Sequence, residues 1–364
     1  MQLEKTKKWM NQSAQATLLA VTLGLTACGC GGDSAAPEPT IWSAQAYIKA
    51  SNASASPYFG WSVALDSDTA VVGARLENTN STTINGSTPL SDNGAPRSGA
   101  AYVFKRTGNN WVQEAFLKAP NVHAGDDFGN SVSISGDTII VGADAENSNQ
   151  TTITTSASSN QSAGSSGAAY IFKRTGTTWA LEAYLKAPNA LAHDNFGSSV
   201  SIDGDTAVVG AYAESSTETS ITNGPSVTTS ISAQTYLSGA AYVFKRTGST
   251  WVHEAYLKAS NANQGDQFGY SVSVSGDTVA VGAYGESSDQ TTITNGIITV
   301  SDSNNQSQPA SFSGAAYVFK RTGAIWLQEA YLKAPNTAAN ALFGASVALN
   351  GDSLVVGAPG ENSN

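Results

Sequence analysis

Three histidines, a recurring set of carboxylates and two closely spaced cysteines are the residues of this chain with chemistry to offer. His123, His193 and His253 could move protons or ligate a metal. No His-Glu-x-x-His pattern, paired metal spacing or Gly-x-Ser-x-Gly elbow accompanies them. Catalysis, a metal centre and a cofactor are therefore not expected. The carboxylates fall into two series. Glu77, Glu146, Glu214, Glu286 and Glu361 follow a Gly-Ala pair, and Asp126, Asp194 and Asp266 stand two residues before a Phe. Together they could form an interaction face for a cation or a basic partner. The simpler reading is a structural hydrogen bond to loop amides, repeated because its surroundings repeat. Lys-Arg pairs at 105–106, 173–174, 245–246 and 320–321 read as solvated edge charges that discourage pairing between sheets. Trp111, Trp179, Trp251 and Trp326 could stack on sugars, but their fixed place in the pattern favours packing.

The elements that position these residues repeat. Phe-Gly recurs at Phe59, Phe128, Phe196, Phe268 and Phe343, in steps of 69, 68, 72 and 75 residues. Trp42, Trp111, Trp179, Trp251 and Trp326 recur in the same steps. Each complete unit reads as four strand-length runs. Phe128 to Ile134 alternates polar and apolar residues, and Ser135-Gly136-Asp137 turns the chain into the apolar run Thr138 to Ala143. A long polar segment leads to Ser166-Gly167-Ala168-Ala169-Tyr170-Ile171-Phe172-Lys173-Arg174, and after Thr175-Gly176 a fourth run spans Trp179 to Lys186. The polar segments 75–97, 144–165, 212–237 and 284–312 absorb all the length variation, and the other 46 residues of each unit keep a fixed register. A packed sheet requires this, because a one-residue slip turns every side chain to the wrong face.

The expected fold is all-β, a β-propeller of four-stranded antiparallel blades, with four full units and a split partial fifth. A solenoid coil is usually shorter than this unit, and isolated four-stranded sheets would leave an apolar face uncovered. Phe343 to Ala358 supplies two strands of the fifth unit, and Trp42 to Lys49 supplies a fourth strand only. Two explanations are open: an incomplete ring from a truncated sequence, or a small ring closed by a three-stranded fifth blade. Truncation is the preferred expectation, because an open propeller exposes blade faces and strand edges.

Phe-Gly-x-Ser-Val followed by Gly-Asp-Thr-x-x-Val-Gly-Ala resembles the FG-GAP repeat of integrin α-chain heads and many bacterial surface proteins. Val355-Val356-Gly357-Ala358-Pro359-Gly360 is similar to it most literally. The resemblance covers residues 41–364 and implies the blade more firmly than any ligand. Integrin-type units often hold calcium between the first two strands. Here that connection is a tight turn such as Asp203-Gly204-Asp205, which offers too few oxygens.

The N-terminus reads differently. Lys5, Lys7 and Lys8 precede a short apolar stretch, Ala16 to Leu25, about half the length that spans a bilayer. Leu25-Thr26-Ala27-Cys28 resembles the bacterial lipobox, which implies a signal peptide over 1–27 and lipid attachment at Cys28. Cys30 is read as incidental. Residues 28–40 read as a flexible tether, and Gly29 after the cysteine favours the outer membrane. The formal net charge is −10, which argues against nucleic acid as a partner.

The function expected is a surface-anchored, non-catalytic protein-interaction or adhesion module held to the membrane by its lipid anchor. The alternatives are a carbohydrate-binding or carbohydrate-processing propeller, or a structural envelope protein without a specific ligand. In an up-down meander the long loops share one end of each blade with the loops before Phe-Gly. That end is where an unknown protein or glycan ligand is expected to bind.

Overall fold

The computed structural model describes residues 18–22, 43–52, 58–85, 93–227, 236–297 and 310–362; among these there are strands and turns but no helix. The first complete unit runs Phe59–Asp66, Thr69–Ala74, Ala100–Thr107 and Asn110–Leu117, hydrogen-bonded in that order as an antiparallel meander. The second runs Ser131–Ser135, Thr138–Ala143, Ala168–Thr175 and Thr178–Leu185. The third and fourth repeat this order, and Ser346–Asn350 pairs with Ser353–Gly357 as a two-stranded sheet at the C-terminal end. Successive four-stranded sheets stacked in series are the blades expected of a β-propeller.

The second strand of each blade explains its own composition. Thr69–Ala74, Thr138–Ala143 and Thr206–Ala211 are buried at every residue. A strand covered on both faces reads as a continuous apolar run rather than an alternating one. The covers are the neighbouring blades. Val71 and Val103 of the first blade pack with Phe128, Val132 and Ile134 of the second. Ile140 and Ile171 meet Phe196, Val200 and Ile202 in the next junction, and Val208 and Val243 meet Phe268 and Val272 in the one after. The core therefore lies between blades. Ser98-Gly99 shows how closely they are stitched: Gly99 bridges in parallel to Phe128 at φ 79°, and an added Cβ would lie 2.0 Å from the Phe128 carbonyl oxygen.

The innermost strands carry a second stitch. The edge N–H groups of Val200 and Ile202 donate to Ser131 Oγ at 3.0 Å and Ser133 Oγ at 3.1 Å. Val272 and Val274 donate likewise to Ser199 and Ser201. The Ser-Val-Ser alternation thus supplies acceptors to an edge that would otherwise lack partners.

Among the described residues the arc is not closed by hydrogen bonds. The N-terminal strand Ser43–Ile48 pairs with Leu18–Thr22 and not with the C-terminal pair, so the three-stranded fifth blade does not form among the described residues. Leu18–Thr22 holds the register of a third strand: Leu18 faces Ile48 as Ala101 faces Leu117, with a bulge at the corresponding place. Ser43–Ile48 occupies a fourth-strand position, since Gln45 accepts from Trp111 Nε1 where Glu114 accepts from Trp179. Among the described residues the two ends of the arc carry exposed strand faces. Val63 and Leu65 are 51% and 57% exposed where Val132 and Ile134 are 7% and 8%, and Val355 is 69% exposed where Val71 is fully buried. Cys28, the tether and most of the expected signal peptide lie outside the described residues.

The long polar segments are not loops throughout. Thr222–Asn223 and Thr294–Asn295 add a fifth strand to the outer edge of their sheets, and Thr154 makes the matching bridge to Tyr184. His253 Nδ1 lies 3.0 Å from the Gly224 carbonyl, and Gln328 Nε2 donates to Gly296 O at 3.0 Å. His253 thus anchors an outer strand, and burial pushes its pKa down to about 4.

Candidate functional site

The carboxylates singled out in the sequence lie at the long-loop end, but inside it. Glu77, Glu146, Glu214 and Glu286 are buried, and each meets a buried lysine: Lys118 at 2.8 Å, Lys186 at 2.9 Å, Lys258 at 3.0 Å and Lys333 at 2.6 Å. Around Glu146 the network is complete. Lys186 also donates to Ser166 Oγ and the Gly167 carbonyl, Tyr184 donates to Glu146, and Asn121 reaches across from the preceding blade. Burial pulls the lysine pKa down against the attraction of the glutamate, as for Lys186 and Lys258. Asp126, Asp194 and Asp266 are also buried and accept loop amides from His123, Leu191 and Asn263. Burial pushes Asp126 and Asp194 up to about 7. Glu361 is half-buried, with its amide on the Ala358 carbonyl. None of the buried seven presents a carboxylate to solvent; they form internal clasps, in keeping with the simpler structural reading, rather than an interaction face.

The Lys-Arg pairs differ from expectation in their second member. Arg174 lies on Trp179 at 5.1 Å, pairs with Asp137 of its own turn at 2.6 Å and reaches Glu114 of the preceding blade at 3.1 Å. Trp179 Nε1 donates to the same Glu114 at 2.9 Å. Arg246 and Arg321 repeat this with Glu182 and Glu254. Arginine suits this place because its planar fork binds two carboxylates while stacking on the indole. It ties blades together at the Gly-Asp turn end instead of standing in solvent.

At the other end the repeat changes character along its inner rim. The residue after Phe-Gly is Trp61, Asn130, Ser198, Tyr270 or Ala345, and the residue after Gly-Ala is Arg75, Asp144, Tyr212, Tyr284 or Pro359. The blade arrangement brings the members from different units together. Trp61, Arg75, Asn130, Asp144, Ser198, Tyr212 and Tyr270 line one pocket of about 300 Å³. Arg75 lies 4.5 Å from the Trp61 ring centre. Asn130 Oδ1 accepts from Trp61 Nε1 at 3.0 Å and from Arg75 Nη1 at 3.3 Å. Asp127 receives Arg75 at 3.1 Å and Arg97 at 2.8 Å. Tyr212, Tyr270 and Tyr284 form an edge-to-face chain with ring centres 5.8 and 4.3 Å apart.

Among the described residues, two polar atoms of this pocket are out of water and without a hydrogen-bond partner: Asp144 Oδ1 and Arg75 Nε. Burial, then the nearby Asp127 charge, pushes Asp144 up to about 6. The backbone beneath is held in unusual conformations. Arg97 and Asp127 both have positive φ, 59° and 57°, and the Asp127 amide donates to the Arg97 carbonyl at 3.0 Å. A second pocket of about 270 Å³ lies at the same end, between the third and fourth blades, lined among others by Tyr236, Leu237 and Phe312. Among the described residues no group of three or more His, Cys, Asp or Glu is placed to hold a metal ion.

The sequence expectations named the long loops as the varied part of this end. Arg75, Asp144, Tyr212 and Tyr284 open those segments, but the positions after Phe-Gly were missed, and their signal was present: they break an otherwise fixed consensus at a constant register.

The FG-GAP repeat family model matches residues 42–104, 111–172, 179–227, 251–319 and 326–364. Each match begins at a tryptophan of the recurring series and runs on into the next blade, and the Trp-to-Glu bonds join successive matches. No curated protein matches the chain. With five matches spanning most of its length, the chain belongs to the FG-GAP repeat family.

Proposed function

We propose that this protein is a non-catalytic interaction module, displayed by a bacterium on a lipid attached at Cys28 and binding its ligand at the long-loop end. The FG-GAP fold supports the interaction role at a coarse level. The observation that carries the placement is the asymmetry of the blades. Unit-specific aromatic and polar side chains converge at one end, and a repeated Arg-Asp-Glu-Trp lock occupies the other. Loops on a rigid scaffold are where recognition is built. The basic start, the short apolar stretch and the cysteine after Leu-Thr-Ala support export and anchoring, with the outer membrane as the destination. An acidic net charge leaves nucleic acid out of the reading.

Two experiments test this. Replacing Cys28 with Ser should release the chain from the membrane fraction and abolish labelling by a fatty-acid probe; an unlabelled wild type would refute the anchor. The purified Cys28→Ser chain, applied to cell surfaces and matrix components, should bind. The binding should fall when Tyr236, Phe312 and Trp61 are replaced by Ala together. Binding that survives the triple change in full would refute the placement.

A further inference from the structure

We propose that the pocket at the inner rim is a saccharide site, built to hold one neutral pyranose of an oligosaccharide. This rests on the reading of the long-loop end as the binding end and specifies its ligand. The first argument is the pairing of aromatic surface with polar groups. A pyranose presents an apolar C–H face and a rim of hydroxyls. The pocket offers the Trp61 indole, about half exposed with Arg75 on one side, and the edge of the tyrosine chain at Tyr270 and Tyr212. Asp144, Asn130 and Ser198 line the same pocket, the Ser198 hydroxyl donating to the Gly210 carbonyl at 3.3 Å.

The second argument is unmet hydrogen bonding. Among the described residues nothing donates to Asp144 Oδ1 and nothing accepts from Arg75 Nε. Native proteins rarely leave such groups unsatisfied, and each one asks for an explanation. A sugar hydroxyl can donate to the carboxylate and accept from the guanidinium at once, which a purely apolar ligand cannot.

The third argument is charge. Arg75 and Arg97 stand against Asp127 and Asp144, so the cluster sums to zero. An acidic sugar would find the guanidiniums already engaged by Asp127. A basic peptide would find the carboxylates matched. A neutral ligand loses nothing by this balance. The pocket volume of about 300 Å³ is at the small end of the range for ligand sites.

The test is titration of the Cys28→Ser chain with neutral trisaccharides of glucose, galactose, mannose and N-acetylglucosamine, read by calorimetry and by Trp fluorescence. A sialylated trisaccharide and an arginine-rich peptide serve as comparisons. At least one neutral sugar should bind, more tightly than either comparison. Asp144→Ala should weaken it by about tenfold to a hundredfold, the range for removing a hydrogen bond to a charged group. Trp61→Ala should weaken it by about tenfold. Asp144→Asn separates binding from folding: it should weaken the sugar while holding or raising Tm, because a desolvated carboxylate is removed. A merely structural Asp144 would lower Tm instead.

The inference is overturned if no neutral sugar binds, if the charged comparisons bind tighter, or if the variants bind as well as the parent. Should a protein ligand still be lost on replacing Tyr236 and Phe312, the interaction reading survives and the saccharide site alone falls.

Discussion

At the Gly-Asp turn end, blades two, three and four present the same side chains, Arg174, Asp137 and Trp179 in one and their counterparts in the others, each set closing on a glutamate of the preceding blade such as Glu114. At the long-loop end of those same blades, the residue after Gly-Ala is Asp144, Tyr212 or Tyr284, and in the first blade it is Arg75. One end is copied and the other is varied. The copied residues bind blade to blade, where any change must be matched on both partners. The varied residues stand one step beyond the fixed strands, where the sheet holds their backbone and leaves their chemistry free. The long-loop end itself shows both behaviours by depth: the Glu-Lys clasp beneath is copied, and the rim above it is not.

The comparison breaks most easily at the buried clasps. Glu146→Ala leaves Lys186 charged and unpaired among buried groups, and should cost about 3–5 kcal/mol in denaturant unfolding. Replacing Glu146 and Lys186 by Met together should recover most of that loss. A single change costing under about 1 kcal/mol would show that the clasp is incidental.

A pair of tryptophans sharpens the comparison next. Trp179 is 1% exposed and Trp61 is 49% exposed. Trp179→Ala should destabilise by about 3–5 kcal/mol, through lost packing and the lost hydrogen bond to Glu114, which keeps Arg174 as its partner. Trp61→Ala should stay within about 1 kcal/mol and act on binding instead. Equal losses of stability would dissolve the distinction between copied and varied positions.

Much of this was legible in the sequence, and the gaps have physical causes. Phe-Gly, Thr-x-x-Val-Gly-Ala and Ala-Ala-Tyr-Val-Phe fixed the strands because a buried blade tolerates few substitutions. The Glu-Lys partnership was hidden because the long segment lies between its members, so their separation runs 41, 40, 44 and 47 residues. A lysine ending each otherwise apolar Ala-Tyr-Leu-Lys or Ala-Phe-Leu-Lys strand was the available sign. The fifth strands escaped notice because Thr222–Asn223 is two polar residues long. The rim pocket could not be read from spacing, since Trp61, Asn130 and Tyr270 meet only once the blades are arranged about a common centre.

Protonation separates the two depths of the long-loop end. Asp126 and Asp194 have folded-state pKa values of about 7 against an ordinary 3.8, so the folded state binds the extra protons. Their effect is to make stability highest at low pH, falling as pH rises from about 4 to about 7. His253, pushed down to about 4, works in the opposite sense, so the informative comparison is parent against variant. Asp126→Asn with Asp194→Asn should flatten that decline while keeping an acceptor for the His123 and Leu191 amides. Tm measured at both ends of the window would decide it, and an unchanged slope would contradict the burial of these carboxylates.

The smallest effect is expected at the inner stitch. Ser133→Ala removes the acceptor of the Ile202 amide and should cost about 1 kcal/mol, with no effect on ligand binding. A loss of binding here would mean that the rim and the inner strands do not act separately.

The central claim, that the copied end holds the blades and the varied end binds, is tested most directly by hydrogen exchange with a ligand bound. The ligand is the tightest neutral trisaccharide found for the Cys28→Ser chain. The account predicts added protection at Arg97, Asp127 to Asn130, Asp144 and Tyr270, with the Gly-Asp turns at Asp137, Asp205 and Asp277 unchanged. A footprint centred on those turns would contradict it.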